Sequence, residues 1–243
     1  MRQNASPGDS QEAALQRLLR AIVSRDRPMA SRLLAESPAL ARLAIAVGAT
    51  RAAAEAYFFK EISHYAYAGD TALHIAAAAY ERDVAEELVS RGANVRARNR
   101  RGAEPLHYAA DGIPGSDAWD PDAQYAVVEL LIRAGADPNS QDKSGVAPLH
   151  RAVRTRSTAA VRALLANGAD PVKRNKSGST PLHLAVQNTG RSSAGTAIAR
   201  DEQEKIIRIL LAHGARSSDS DWSGKSVKDS VQSGWIFPLL EEI

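Results

Sequence analysis

Four histidines close near-identical tetrapeptides along this chain: Thr71-Ala72-Leu73-His74, Glu104-Pro105-Leu106-His107, Ala147-Pro148-Leu149-His150 and Thr180-Pro181-Leu182-His183. Imidazole is the commonest general base and metal ligand near neutral pH, so the set invites a catalytic or metal reading. The intervals between them, 33, 43 and 33 residues, argue otherwise. Residues repeated at such a period stand about one helix-packing distance apart, roughly 10 Å, too far to share a metal whose ligands sit about 2 Å from it. A second candidate is Asp117, Asp120 and Asp122 around Trp119, an oxygen-rich cluster that resembles part of a calcium site. The order Asp120-Pro121-Asp122 fits a helix cap, a first-turn proline and an acid at the positive helix end, and no glutamate completes a calcium loop. A third is the Gly-, Ser- and Arg-containing run Thr189 to Thr196. A helix rather than a strand is expected before it, which argues against a phosphate-cradling loop. With no cysteine, no His-Glu-x-x-His pattern and no nucleophile elbow, the reading is of a protein that is not an enzyme and has no metal site and no cofactor.

The elements that would position these residues repeat with them. A glycine (Gly69, Gly102, Gly145, Gly178) stands five residues before each histidine. Each unit closes on a paired-aliphatic and glycine signature: Leu88-Val89 with Gly92-Ala93, Leu131-Ile132 with Gly135-Ala136, Leu164-Leu165 with Gly168-Ala169, and Leu210-Leu211 with Gly214-Ala215. Proline at Pro105, Pro148 and Pro181 suits a first helical position, and Thr180 and Glu104 suit a helix start, whereas Ala147 cannot cap. Fixed periods of this length mark a solenoid. The period and both signatures resemble the ankyrin repeat. That resemblance implies an all-α ankyrin-repeat solenoid of helix-turn-helix units with short β-hairpin or loop fingers. It also implies that the motif histidines tie neighbouring units by hydrogen bonds, and that fingers and first helices line a concave binding surface.

Unit limits fall at 66–98, 99–141, 142–174 and 175–220, followed by 221–243, where Asp221-Trp222-Ser223-Gly224-Lys225 survives but the histidine motif is lost, as expected of a degenerate C-terminal cap. Residues 1–9 read as a disordered leader. Residues 10–64, with apolar-periodic segments at 15–22, 29–34, 40–47 and 52–59, read as a helical N-terminal cap whose first pair of helices resembles a decayed unit. Units two and four carry 10 and 13 extra residues, within 111–124 and 188–202, between their helices. Skipping one plain unit, the insertions should project from one edge about two repeat rises apart, roughly 20 Å. The layout looks similar to stand-alone bacterial ankyrin repeat proteins.

Function must then come from positions the scaffold does not claim. The finger tips supply Tyr65 and Tyr67, then Arg98, Arg100 and Arg101, then Lys143, then Arg174 and Lys176, then Trp222, and Arg154 extends this stripe on the third unit's first helix. Acidic residues such as Glu86, Glu87, Glu129, Glu202 and Glu204 fall on second helices, expected to face outward, so the formal charge of +3 conceals a segregation of sign. A basic face rimmed by Tyr and Trp favours an acidic protein or peptide partner and a role as adaptor or regulator. Binding of nucleic acid or another polyanion through the same stripe is the alternative. It ranks second because no nucleic-acid motif accompanies the basic residues. Of the 243 residues 44% are hydrophobic and 5% aromatic, as an Ala- and Leu-built solenoid requires. No apolar run of membrane length and no signal segment is present, and the expectation is a cytoplasmic monomer that does not enter the membrane.

Overall fold

The computed structural model describes residues 7–116, 119–188 and 196–241. Within them ten α-helices follow one another as pairs: α1 (Pro7–Val23) with α2 (Arg27–Glu36), α3 (Ala72–Ala78) with α4 (Arg82–Ser90), α5 (Pro105–Ala109) with α6 (Pro121–Arg133), α7 (Pro148–Arg154) with α8 (Thr158–Ala166), and α9 (Pro181–Ala185) with α10 (Ala197–Ala212). The first members pack in an inner row, α1 on α3 on α5 on α7 on α9, and the second members in an outer row in the same order. Leu73, Leu106, Leu149 and Leu182 seal the inner row, Leu88, Leu131, Leu164 and Leu210 the outer one, all at 1% exposure or less. Buried Ala76, Ala109, Ala152 and Ala185 let successive helices approach closely.

Helix ends follow local chemistry. Pro105, Pro121, Pro148 and Pro181 open their helices, where a missing N–H costs no hydrogen bond. The outer helices stop where a glycine takes positive φ, as at Gly92 (85°) and Gly135 (100°). The residue after it then donates back into the last turn, Ala93 to the Leu88 carbonyl at 2.9 Å and Ala136 to that of Leu131 at 3.0 Å.

Between helices of a pair, the uninterrupted units share one device. Arg25, Tyr80 and Arg156 adopt φ of 57–58° two residues before the next helix. The following N–H then reaches a first-helix carbonyl: Asp26 to Ala21 at 2.9 Å, Glu81 to Ala76 at 3.0 Å, and Ser157 to Ala152 at 2.9 Å. That α1–α2 uses the same turn as the two plain units is independent of any sequence motif there. In the interrupted units a buried glutamine takes over the task. Gln124 Nε2 donates to the Ala109 carbonyl at 2.8 Å and Gln203 Nε2 to that of Ala185 at 2.7 Å, each two residues after the motif histidine, as Ala76 and Ala152 are. Gln124 Oε1 meanwhile accepts from Trp119 Nε1 (2.8 Å) and Ser157 Oγ (2.7 Å). Gln124→Ala should therefore cost about 2 kcal/mol by leaving buried partners unmatched, read as a lowered urea midpoint. A loss below about 0.5 kcal/mol would show that the loop relaxes around the gap.

The N-terminal region departs from expectation. Helix α1 already includes Pro7, so the end of the stretch expected as leader is helical, while residues 1–6 lie outside the described residues. Of the four apolar-periodic segments, only the first two are α-helical. The third is a 3-10 turn (Pro38–Ala41) leading into extended chain, because residues 44–49 are drawn into pairing with 66–71: Ile45 N donates to the Asp70 carbonyl (2.7 Å) and Ala49 N to that of Ala66 (2.7 Å). Between Ala49 and Ala66 the first finger makes an excursion, residues 50–65, closed by a short antiparallel pair, β1 (Phe58–Phe59) with β2 (His64–Tyr65). It folds back over the inner row, with the His64 ring edge-on to Tyr108 of α5, centroids 4.3 Å apart. After α10 the chain ends in 3-10 turns that bury Val227, Ile236, Leu239 and Leu240 against the last unit.

The described parts of both insertions pack onto the plain third unit between them. The first leans over the plain third unit, where Gly112 N donates to Thr155 Oγ1 (2.9 Å) and Arg151 pairs with Asp111 (2.8 Å). A Cβ on Gly115 would lie 3.8 Å from Ile198 in the first turn of α10. From the other side, Glu202 Oε2 accepts the Thr158 N–H that opens α8 (3.1 Å). The short α8 offers nothing of comparable reach, so the flanking units close over it. Residues 117–118 and 189–195, which include Asp117 and most of the Gly/Ser run, lie outside the described residues.

Candidate functional site

The motif histidines are spent on the scaffold. In each, Nδ1 accepts the N–H of the residue that opens its own helix: Thr71 (3.1 Å), Glu104 (3.1 Å), Ala147 (3.2 Å) and Thr180 (3.2 Å). Nε2 then donates to a carbonyl of the next unit: Ala103 (3.2 Å), Val146 (3.0 Å), Ser179 (3.2 Å) and Lys225 (3.3 Å). Both nitrogens are thus occupied in the neutral tautomer protonated at Nε2. Where Ala147 has no side chain to cap with, His150 itself satisfies the helix start. Glu104 Oε1, suited to a helix start, instead accepts from Arg98 Nε (3.0 Å) and Ser140 Oγ (2.6 Å). Burial drives the imidazoles of His74, His107 and His150 below the usual range, His107 to about 4, with the Arg151 charge adding to the effect at His107. Asp120 Oδ1 accepts the N–H groups of Asp122 and Ala123, both at 3.0 Å, which is the capping geometry its sequence suggests. No group of three metal-ligating side chains is gathered among the described residues.

The finger tips stack, and their register divides the basic stripe in two. Each tip is a tight turn held by an Asn or Asp side chain, as where Asp142 Oδ1 accepts from Ser144 N (2.7 Å) and Val146 N (3.0 Å). Successive tips are laddered by Arg100 N to Ala68 O (2.8 Å), Lys143 N to Arg101 O (3.0 Å), Lys176 N to Ser144 O (3.4 Å) and Trp222 N to Ser177 O (3.2 Å).

Four residues before the tip glycines of the later fingers, Arg98, Gln141, Arg174 and Ser220 form one column. Its long side chains brace the stack: Arg98 Nη2 donates to the Gln141 carbonyl (2.8 Å), Gln141 Nε2 to that of Arg174 (2.7 Å), and Arg174 Nη1 to that of Ser220. Arg98 and Arg174, expected to face a partner, are thereby engaged in holding neighbouring units together. A signal for this was present in the sequence. Gln141 occupies the same phase as the two arginines, and a neutral amide shares with guanidinium only the ability to donate hydrogen bonds.

Two residues before each glycine, Tyr67, Arg100, Lys143, Lys176 and Trp222 form the second column. Lys143 and Lys176 are exposed and their ammonium groups make no hydrogen bond or ion pair among the described residues, and the same holds for the guanidinium of Arg154 at the end of α7. Trp222 closes the column at 67% exposure, its ring beneath the Arg174 guanidinium at 5.0 Å. At the other end Arg100 and Arg101 lie 5.3 and 4.8 Å from the Tyr67 ring, Arg101 also donating to the Tyr67 hydroxyl at 3.0 Å. Tyr65 is exposed on the folded-back excursion rather than at a tip.

Outer-row acids are less available than their positions suggested. Glu129 and Glu204 pair with arginines four residues on, and Glu202 is turned inward onto α8. Among the described residues no helix is long and apolar enough to cross a membrane.

The profile described as "Ankyrin repeats (3 copies)" matches residues 122–221, and that described as "Ankyrin repeat" matches residues 68–100. No curated protein matches the chain. The stretch between the two matches contains α5 and the first insertion, where the regular period is broken. With the repeated helix pairs, the stacked fingers and the histidine ties that join them, these matches show that the chain belongs to the ankyrin repeat family.

Proposed function

We propose that this protein binds an acidic segment of another protein along the second finger column, Arg100, Lys143 and Lys176, with Trp222 and Tyr67 at its ends and Arg154 on the groove floor. Ankyrin repeats are in general protein–protein interaction modules and typically not enzymes. The observation that carries the more specific reading is the second column: exposed cations at equal phase in successive units, two with unpartnered head groups. Arg98 and Arg174 contribute indirectly, by fixing the spacing of the tips. The folded-back excursion covers the inner row near α3 and α5, which leaves the stretch from unit three onward as the open part of the groove floor.

In the same proposal α1–α2 is a decayed unit that caps the N-terminal end, 66–98, 99–141, 142–174 and 175–220 are the repeats, and 221–243 caps the other end. The protein acts as a cytoplasmic, monomeric adaptor or regulator.

Fluorescence anisotropy with a labelled twelve-residue glutamate-rich peptide tests the reading. Binding should weaken about tenfold between 50 and 200 mM salt, and Lys143→Glu with Lys176→Glu should weaken it by a further factor of about ten. Equal binding by wild type and this double variant would overturn the groove. Tighter binding to a single-stranded DNA 12-mer, sensitive to the same substitutions, would put the polyanion alternative in its place.

A further inference from the structure

The excursion of the first finger does more than cover the inner helices, because it builds one wall of an open pocket of about 370 Å³ against the tip of the second finger. Ala49, Thr50, Arg51, Ala54 and Tyr65 come from that finger and its excursion, Tyr67 from its returning limb, and Arg100 and Arg101 from the neighbouring tip. Three guanidinium groups therefore border one pocket, and no carboxylate lines it. Two of the three are held in place: Arg100 donates to the Ala49 carbonyl and Arg101 to the Tyr67 hydroxyl, both guanidiniums close to the same Tyr67 ring. Arg51 is exposed and makes no hydrogen bond or ion pair among the described residues. Like charges gathered without a counter-charge repel, and the arrangement is relieved by an anion that can satisfy more than one of them.

We propose that this pocket receives the phosphate monoester of a phosphorylated side chain in the partner's segment, the rest of that segment running along the Arg100, Lys143 and Lys176 column. The inference rests on the acidic-segment reading for the partner and adds to it the group that anchors one end. A carboxylate offers one charge and two oxygens, whereas a phosphate monoester near neutral pH carries about −1.5 to −2 and three acceptor oxygens. Planar guanidinium forks match those oxygens in pairs. Thr50 adds a hydroxyl donor, and the rings of Tyr65 and Tyr67 give a flat wall for an aromatic carrier such as phosphotyrosine. Three of the polar contributors, Thr50, Arg51 and Tyr65, belong to a finger lengthened beyond its counterparts, so the pocket is particular to that finger and not a feature of the repeat.

Phenyl phosphate, phenylacetate and inorganic phosphate, titrated separately and followed by NMR, test the pocket itself. Phenyl phosphate should bind in the millimolar range and at least tenfold more tightly than phenylacetate. Arg51→Gln, at an exposed residue whose loss leaves the fold intact, should weaken it at least fivefold, and Arg162→Gln, at an exposed position on the outer helix α8, should not. Equal affinity for phenylacetate, equal affinity for inorganic phosphate, or no effect of Arg51→Gln would each overturn the proposal. The acidic 12-mer carrying tyrosine or phosphotyrosine at either end tests the link to the groove. Phosphorylation should strengthen binding about tenfold, and Arg51→Gln should remove that gain while changing the unphosphorylated peptide's affinity less than twofold. Failure of the unphosphorylated peptide with retained phenyl phosphate binding would count against the groove alone. A missing gain with phenyl phosphate binding retained would overturn the placement of the partner's phosphate in this pocket.

Discussion

Acidification from pH 7 to pH 5 should destabilise the protein by several kcal/mol. His64, His74, His107 and His150 are all held below the usual imidazole range, and in each the first cause is burial, which disfavours the charged ring. In the unfolded chain these rings take up a proton near pH 6.5, whereas folded His107 does so only at about 4. Between those values the unfolded state holds more protons, so stability is complete above about pH 6.5 and falls as the pH drops through that window. His107 alone accounts for about 2 kcal/mol by pH 5 and about 3 kcal/mol over the whole window. The other three act in the same direction. The structural consequence is specific, because a second ring proton on His74, His107 or His150 removes the acceptor that Nδ1 offers to the opening N–H of α3, α5 or α7. Urea midpoints by circular dichroism at pH 7, 6 and 5 measure the effect, and His107→Gln should reduce the pH 7 to 5 difference by about 2 kcal/mol. Midpoints independent of pH across that range would mean that the rings are not held neutral in the fold.

Asp70→Ala should cost about 3–5 kcal/mol, more than the loss of an average core methyl group. Asp70 is fully buried between the first two fingers. It accepts from Tyr67 N (2.6 Å), Tyr108 Oη (2.8 Å) and Asn99 Nδ2 (2.8 Å). Asn99 is itself the residue that shapes the second tip, its Oδ1 accepting from Arg101 N (2.9 Å) and Ala103 N (3.1 Å). Removal of the carboxylate leaves donors unmatched in two fingers and in α5 at once, and replacement by alanine opens a cavity among them. Asp70→Asn should recover part of the loss, since its amide oxygen can still accept. Urea unfolding at pH 7 gives the comparison, and a cost for Asp70→Ala below about 1 kcal/mol would show that the network is not cooperative. The same variant should loosen Arg100 and Arg101, because their tip is anchored through Asn99.

Much of this architecture was legible because it is local and periodic. The tetrapeptides, the prolines at helix starts and the glycines after outer helices act through bonds within a few residues, and repetition made each of them readable three or four times over. The terminal segments were less legible. The stretch 40–59 has helix-like apolar spacing, yet its extended part follows from pairing across the finger with residues 66–71, which no local preference reports. The buried glutamines of the interrupted units passed unnoticed as well, since nothing in a lone Gln124 or Gln203 says which carbonyl will lie opposite it.

The candidate surface divides along the same line. Composition and phase alone placed the basic residues at the tips, since every position at one offset from the tip glycine must share a column. Only the tertiary structure separated Arg98 and Arg174, whose side chains reach a neighbouring unit's carbonyl, from Lys143 and Lys176, whose ammonium groups have no partner among the described residues, and brought Arg51 beside Arg100 and Arg101. The physical reason is distance along the chain. A repeat's period is written within one unit, whereas the fate of a charged side chain depends on what stands one repeat rise away, 43 residues later in sequence for Arg98 and 46 for Arg174.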